Sequence, residues 1–334
     1  MTQVFTFING KNKLMSQITN KVLMMAPTQF GFNDETSASN SFQNEPPTNE
    51  VHQIQERASA EFKHFVDKLS TIGIEVLVYQ DEQYSQSPDS IFPNNWFSTH
   101  ISGELIIYPM AAINRRNERR SDIISDLISK EGYHLKDLTR WEEMKPSFFL
   151  EGTGSIVFDH DDRIIYAAIS TRTFKEPLKE LASEIGYSIC DFQAIGKAGE
   201  PIYHTNVMMC VGKTFVAIGV DTIAQGRERT LAKIHATEKE VISLSNEQVY
   251  HSFAGNMLQL ENYLGETVLV VSTAAFNSFS DQQLSKLNDH NDHILPISIP
   301  TIEKIGGGSV RCMLAEIFSI KKEETLMSPL LPVS

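Results

Sequence analysis

"FLEGTGSIVFDHDDRIIYAAIS" (149–170) holds two short runs rich in β-branched and aromatic residues, one on each side of Asp-His-Asp-Asp. Such runs around a polar turn predict a β-hairpin. A pattern of helical period follows over 176–185, and then a third apolar run, "YSICDF" (187–192). The order recurs along the chain. "FPNNWFSTHISGELIIYP" (92–109) turns at Ser-Gly and leads to a helical pattern at 119–130 and the run "YHLKDL". "IYHTNVMMCVGKTFVAIG" (202–219) leads to a helical pattern at 227–240 and "EVISLS", and "FAGNMLQLENYLGETVLVVS" (253–272) to 281–288 and "ILPISIP". Asn94, Glu151, His204, Asn256 and Cys312 hold equivalent places in these segments, spaced by 57, 53, 52 and 56 residues. A hairpin–helix–strand unit repeated with a period near this length predicts a radial or stacked repeat architecture.

The fifth unit is split between the chain ends. "GGGSVRCMLAEIFSI" (306–320) supplies its beginning. The strand-like "KVLMMAP" (21–27) and "IEVLVYQ" (74–80) supply the rest, with a helix between them whose apolar positions are Val51, Ile54, Ala58, Phe62, Phe65 and Leu69. The chain therefore closes on itself as a single α/β domain over 19–325, with a loose extension at 1–18 and a tail at 326–334. The polar stretch at 28–50 is long for a connection within a compact domain, as lids and binding segments are.

The 334 residues, 41% of them hydrophobic, are enough for a sizeable core. A net charge of −13 argues against a nucleic-acid or anionic-membrane surface. No run is long and apolar enough to span a bilayer, and the first residues have no signal-peptide pattern. Three widely spaced cysteines, Cys190, Cys210 and Cys312, do not form a disulfide framework. The expected setting is the cytoplasm. "DHDD" (159–162) and "NDHNDH" (288–293) lack a recognised ligand spacing and read as solvated turns, so no metal site is expected.

"KIGGGSVRCMLAE" (304–316) places a cysteine shortly after three glycines, in a strand-like segment. A free cysteine is most often a core residue. A nucleophilic thiolate, however, needs close backbone amides and an open approach, which glycines permit. In a ring of equivalent units the matching positions Glu151, His204 and Cys312 face one axis. A carboxylate, an imidazole and a thiol so placed have the logic of an orienting group, a base and a nucleophile.

Six motifs in order, "SPDSIFPNNW" (87–96), "LEGTG" (150–154), "STRTF" (170–174), "IYHTN" (202–206), "AGN" (254–256) and "GGGSVRCM" (306–313), resemble those of the pentein superfamily of guanidino-group-modifying enzymes. That superfamily includes arginine deiminases, dimethylarginine dimethylaminohydrolases, agmatine deiminases and amidinotransferases. The resemblance covers roughly 20–320 and implies a five-bladed pseudo-symmetric α/β-propeller of ββαβ units. It implies Cys312 as nucleophile, His204 as general acid/base and Glu151 as the carboxylate beside them. It implies Arg172 as a binder of the substrate α-carboxylate, Arg115 or Arg116 of "NRRNERR" (114–120) as a second, and Asp89 as a substrate contact.

The chain departs from guanidinium-specific relatives in carrying Asn94 and Asn95 where those have acidic residues. A guanidinium offers only N–H donors and suits a carboxylate. A ureido group is neutral and presents a carbonyl oxygen, which a carboxylate would oppose lone pair against lone pair. An amide side chain has both a donor and an acceptor. The substitution favours citrulline over arginine, and the chain looks most like the citrulline hydrolase (ureidase) branch. The expected reaction is L-citrulline to L-ornithine, carbon dioxide and ammonia through an S-carbamoyl cysteine. Asn94 or Asn95 and the amides of Gly307, Gly308 and Ser309 are the expected oxyanion donors. No cofactor is required. The expected partner is a small amino-acid substrate, with a homodimer as the assembly to test. The competing readings are a guanidino-substrate hydrolase, then an amidinotransferase, then a non-catalytic pentein binding protein.

Overall fold

The computed structural model describes residues 16–47, 50–81 and 87–320. Most of the expected extension (1–18) and all of the expected tail (326–334) lie outside them. The described Gln17 is buried. Its Nε2 donates to the carbonyls of Phe158 and Val211, and its Oε1 accepts from the His160 amide.

Strand β1 (Lys21–Ala26) is followed by helix α1 (Val51–Thr71) and by β2 (Glu75–Gln80), which pairs parallel to β1. The next unit is β3 (Phe97–Thr99), antiparallel β4 (Glu104–Ile107), α2 (Ser121–Asp126, continued by a π-helical turn over Leu127–Glu131) and parallel β5 (His134–Asp137). Then come β6 (Ile156–Asp159), β7 (Ile164–Ala168), α3 (Lys175–Ile185) and β8 (Ser188–Ala194). The fourth unit is β9 (Met209–Val211), β10 (Phe215–Ile218), α4 (Arg227–His235) and β12 (Glu240–Ser243); β11 (Ile223–Gln225) leaves it to pair with β8. The fifth is β13 (Leu258–Glu261), β14 (Thr267–Ser272), α5 (Asp281–Asp289) and β15 (His293–Ile297). Finally β16 (Ala315–Glu316) pairs antiparallel with β1, Val22 opposite Glu316 and Leu23 opposite Ala315. The described residues thus form five ββαβ units whose ends join, an α/β-propeller.

The first strands of the units are the inner ones. Thr99 of β3 donates to the Glu316 carbonyl of β16, and Gln17 ties β6 to β9. β1 is apolar on both faces because both are covered: Val22 and Met24 enter one core cluster, and Leu23 and Met25 another. Helix α1 buries Ile54, Ala58, Phe62, Phe65 and Leu69. Val51, counted with that face in the sequence, is 55% exposed because it opens the helix before the stripe reaches the core.

The structure corrects several local expectations. The helical pattern at 227–240 ends at His235, where Glu238 takes φ 63° and starts a turn into β12. The cysteine segment is not a strand. Met313 N–H bonds to Val310 O and Leu314 N–H to Arg311 O, so residues 309–314 form successive tight turns before β16. "DHDD" is only half solvated: Asp159 and His160 are buried, Asp159 Oδ1 lying 2.8 Å from Lys239 Nζ and His160 Nδ1 2.8 Å from Tyr187 Oη. No described helix is long and apolar enough to cross a membrane.

Leu23 sits on the closing strand and is fully buried. Leu23→Ala should lower the unfolding free energy by about 2–5 kcal/mol. Urea unfolding followed by fluorescence and by circular dichroism checks it, and two non-coincident transitions would show that the joined ends are not part of one cooperative unit.

Candidate active site

Each inner strand is preceded by one tight turn, and these turns carry the equivalent residues. Asn94 and Asn95 lie in the 3-10 turn Pro93–Asn95, and Glu151 precedes the turn Gly152–Ser155. His204 precedes the turn Thr205–Val207. Asn256 closes a turn on Phe253 O and Cys312 one on Ser309 O. A turn placed there aims one side chain at the axis instead of along the sheet. All of these residues are buried.

The two glycines of "EGTG" let the turns meet. Gly152 has φ 45°, and a Cβ on it would run into the carbonyl oxygens of Asn94 and Asn95. A Cβ on Gly154 would collide with Asn95 Nδ2 and come within 2.7 Å of His204 Nδ1. Glu151 Oε2 therefore reaches His204 Nε2 at 2.8 Å, while its Oε1 accepts from the Ala111 amide at 3.0 Å. Arg172 Nη1 stands 3.5 Å from the same Oε2, and its guanidinium lies over the Tyr203 ring, 4.7 Å from the centroid.

Burial alone would raise the Glu151 carboxyl, but the Arg172 charge, the His204 hydrogen bond and the Arg115 charge outweigh it and hold it well below the usual carboxylate range. Burial lowers His204 to about 4 despite its bond to Glu151, with Arg172 and Arg115 acting in the same direction. At neutral pH the pair is a carboxylate and a neutral imidazole. Nε2–H donates to Glu151, and Nδ1 keeps its lone pair.

Cys312 is 6% exposed. Asn206 Nδ2 and Asn256 Nδ2 stand 3.5 and 3.3 Å from its Sγ. No hydrogen bond joins Sγ to His204 among the described residues. Asn256 also donates to Asn206 O and accepts from the Arg311 amide, which fixes its orientation beside the sulfur.

The triple glycine serves packing. Gly306 and Gly308 lie against Phe92, and Gly307 ends the preceding helix (Pro300–Gly306) with φ 63°. The Gly307 N–H bonds to Glu303 O, so it is a helix end and not an available oxyanion donor. Ser309 Oγ donates to Glu303 Oε1 at 2.6 Å. Of the two arginines considered, Arg115 is buried against Asn95 and Asp89. Arg116 turns away to the Met110 carbonyl and to Glu142, because its place in the 3-10 turn Asn114–Glu118 points it outward.

The segment 28–47 lies over this group. Asn33 Nδ2 and Thr36 Oγ1 donate to Asp89 Oδ2 at 2.8 and 3.2 Å. Arg172 donates to Thr36 O and Ser39 Oγ, and Asn40 and Gln43 donate to the carbonyls of Gly307 and Gly306. The long polar stretch thus closes on the Cys312 loop, on Asp89 and on Arg172 together.

A family model described as N,N dimethylarginine dimethylhydrolase, eukaryotic, matches residues 26–319. The chain belongs to this family. It is therefore a hydrolase of the pentein superfamily, and the five-unit architecture agrees. The product-bound N-terminal domain of ArgZ, an arginine dihydrolase from the ornithine-ammonia cycle in cyanobacteria, is 15% identical with a TM-score of 0.70, the alignment covering 91% of this chain and 99% of that domain. Unliganded AgrE is 15% identical with a TM-score of 0.69 over 91% of this chain, which spans 40% of that longer protein. A dimethylarginine dimethylaminohydrolase variant bound as an adduct to S-methyl-L-thiocitrulline is 14% identical with a TM-score of 0.60, covering 90% of this chain and 100% of that one. No curated protein matches the chain.

Sequence reasoning missed two side chains at the sulfur, Asn206 and Asn256. Asn256 was an anchor of the repeat, and its equivalence to Glu151 and His204 was the signal that pointed to it. Asn206 stood in "IYHTN" beside the histidine and carried no separate signal. Glu118, which meets Arg115, lies in a charge run that gives it no separate signal.

Gly154→Ala should lower kcat/KM about a hundredfold, since displacing a reacting group by roughly 1 Å has that effect. Circular dichroism and steady-state kinetics on one preparation check it, and retained activity would show that the Gly154 turn tolerates a side chain against His204 and Asn95.

Proposed function

We propose that the protein hydrolyses the ureido C–N bond of L-citrulline. One observation carries this reading, the polarity of the Asn95–Asn94 pair. Arg115 Nη1 donates to Asn95 Oδ1 at 2.6 Å, and a guanidinium has no acceptor, so Asn95 must present its oxygen there. Asn95 Nδ2 then donates to Asn94 Oδ1 at 3.0 Å. Asn94 Nδ2 is left as a buried donor without a partner, and Asp89 Oδ1 and Asn206 Oδ1 as buried acceptors without one. A ureido group supplies one carbonyl oxygen and N–H groups on both sides, which match one donor and two acceptors. A guanidinium has no acceptor for Asn94, and a buried unpaired amide costs about 1–3 kcal/mol.

In this reading Cys312 Sγ attacks the ureido carbon and passes its proton to His204 Nδ1. The oxyanion is held by Asn94 Nδ2, and one such donor is worth about 3–4 kcal/mol in the transition state. The C–Nδ bond breaks, His204 returns the proton to the departing amine, and ornithine leaves an S-carbamoyl cysteine. A water, deprotonated by His204, then releases carbamate, which decomposes to carbon dioxide and ammonia. Glu151 holds the imidazole by Nε2–H. Arg172 takes the substrate α-carboxylate in place of its bonds to Ser39 and Thr36, which requires the 28–47 segment to shift. Residues 19–325 form the catalytic domain in this reading, working in the cytoplasm without a cofactor. The second reading, hydrolysis of a guanidino substrate, is favoured by the family's own name and by the substrates of ArgZ and AgrE.

Purified protein offered L-citrulline, L-arginine and dimethylarginine separately should form ornithine and ammonia from citrulline with a kcat/KM well above that for either guanidino compound. A guanidino compound turned over as efficiently as citrulline would overturn the assignment. Cys312→Ser should abolish turnover, whereas a binding protein would be indifferent. Asn94→Asp should lower citrulline turnover at least tenfold, because it exchanges the free donor for an acceptor.

The pH profile follows from His204. Its pKa in the free enzyme is lowered to about 4 from an unfolded value of about 6.5. The neutral, proton-accepting form is present above pH 4 and is lost as pH falls through that value. The His204 limb of kcat/KM should therefore lie near pH 4, with no inflection near 6.5. A limb near 6.5 that vanishes in His204→Gln would contradict the assignment.

A further inference from the structure

The resemblance implies Arg115 or Arg116 as a second ligand for the substrate carboxylate, and the surroundings of the buried Arg115 speak for another role. Arg115 is 2% exposed. Its Nε and Nη2 grip both oxygens of Glu118, at 2.8 and 2.9 Å. Nη2 also reaches the carbonyls of Asp89 and Phe92, at 3.4 and 3.3 Å, and Asp89 Oδ2 is 3.8 Å from Nε. With Nη1 bound to Asn95 Oδ1, only one of the five guanidinium N–H groups is left for a ligand.

We propose that Arg115, clamped by Glu118, is a positioning residue that sets whether this site accepts a ureido or a guanidino group. The inference rests on the ureidase reading and deepens it. Amide groups are nearly symmetric in shape, so the Asn95–Asn94 relay has two states. With a pure donor at Asn95, the relay ends in a free N–H on Asn94, complementary to a carbonyl oxygen. Without that donor Asn95 can turn over, its oxygen then accepts from Asn94, and the relay ends in the free Asn94 oxygen. That end suits the N–H groups of a guanidinium. One arginine two residues removed from the substrate thus fixes the polarity presented to it, and Glu118 holds that arginine in register by a bidentate contact three residues along the same turn.

The measured quantity is the ratio of kcat/KM for citrulline to kcat/KM for arginine. Removing Arg115 alone leaves Glu118 buried and unpaired, so the pair is removed together as Arg115→Met/Glu118→Leu. The ratio should fall tenfold or more. The same double change in an Asn95→Ala background should alter it less than twofold, because there is no longer an amide to turn over. Arg115→Lys, which still offers only donors, should keep the ratio within about threefold of the wild type. A ratio that stays constant while both substrates lose activity together would overturn the proposal. That is the result expected of a carboxylate contact, or of a residue that only stabilises the fold. A fall of equal size in the Asn95→Ala background would overturn it as well. If the wild type does not hydrolyse citrulline, the ureidase reading falls on its own. The polarity of the relay is then read from the dissociation constants of citrulline and arginine for Cys312→Ser protein with and without the Arg115–Glu118 pair. No change in their ratio would refute the role given to Arg115.

Discussion

Leu23 lies opposite Ala315 in a two-residue antiparallel ladder, and β1 continues on its other side into the parallel pairing with β2. Everything at the axis depends on that junction. Cys312 stands three residues before the ladder, and among the described strands β1 alone pairs with β16. The pairing of the chain's two ends brings the thiol to Asn206 and Asn256, 106 and 56 residues earlier in the chain. The ladder itself is short, and its strength comes from what covers it. β1 is buried on both faces between two core clusters, so opening the junction would expose apolar surface from both.

The axis holds an unusual density of buried charge: Asp89, Glu118, Glu151, Arg115 and Arg172, with His204 among them. Isolated, each would be costly to bury. Paired and hydrogen-bonded, they constrain one another. Glu151 meets His204, Arg172 and the Ala111 amide, which keeps the carboxylate ionised and orients the imidazole. Arg115 and Glu118 close on each other, so the guanidinium imposes a direction on the two asparagines beyond it. Asn94 Nδ2, Asp89 Oδ1 and Asn206 Oδ1 are buried polar atoms of this group left without a partner.

Small residues make the convergence possible. Gly152 and Gly154 admit the Asn94–Asn95 turn and the His204 ring against the Glu151 turn, and Gly306 and Gly308 admit Phe92 against the Cys312 loop. The triple glycine therefore answers first to the close approach of Phe92 and of the 28–47 segment, and only then to the chemistry of the cysteine.

The sequence by itself determined the repeat, because periodic apolar runs and a constant spacing are local signals, and it determined the type of each residue at the five anchor positions. With the repeat came the grouping of Glu151, His204 and Cys312. A chain closing on itself was legible from a first unit that lacked its opening strand. What it left open were side-chain directions. Arg115 and Arg116 are adjacent and chemically alike, and only the 3-10 turn that carries them sends one inward to Asn95 and the other outward to Glu142. The free end of an Asn–Asn pair cannot be read from "FPNNW", since an amide has no polarity until a neighbour that can only donate fixes it. That neighbour is 20 residues away in the chain and 2.6 Å away in space, a relation that only the folded molecule sets.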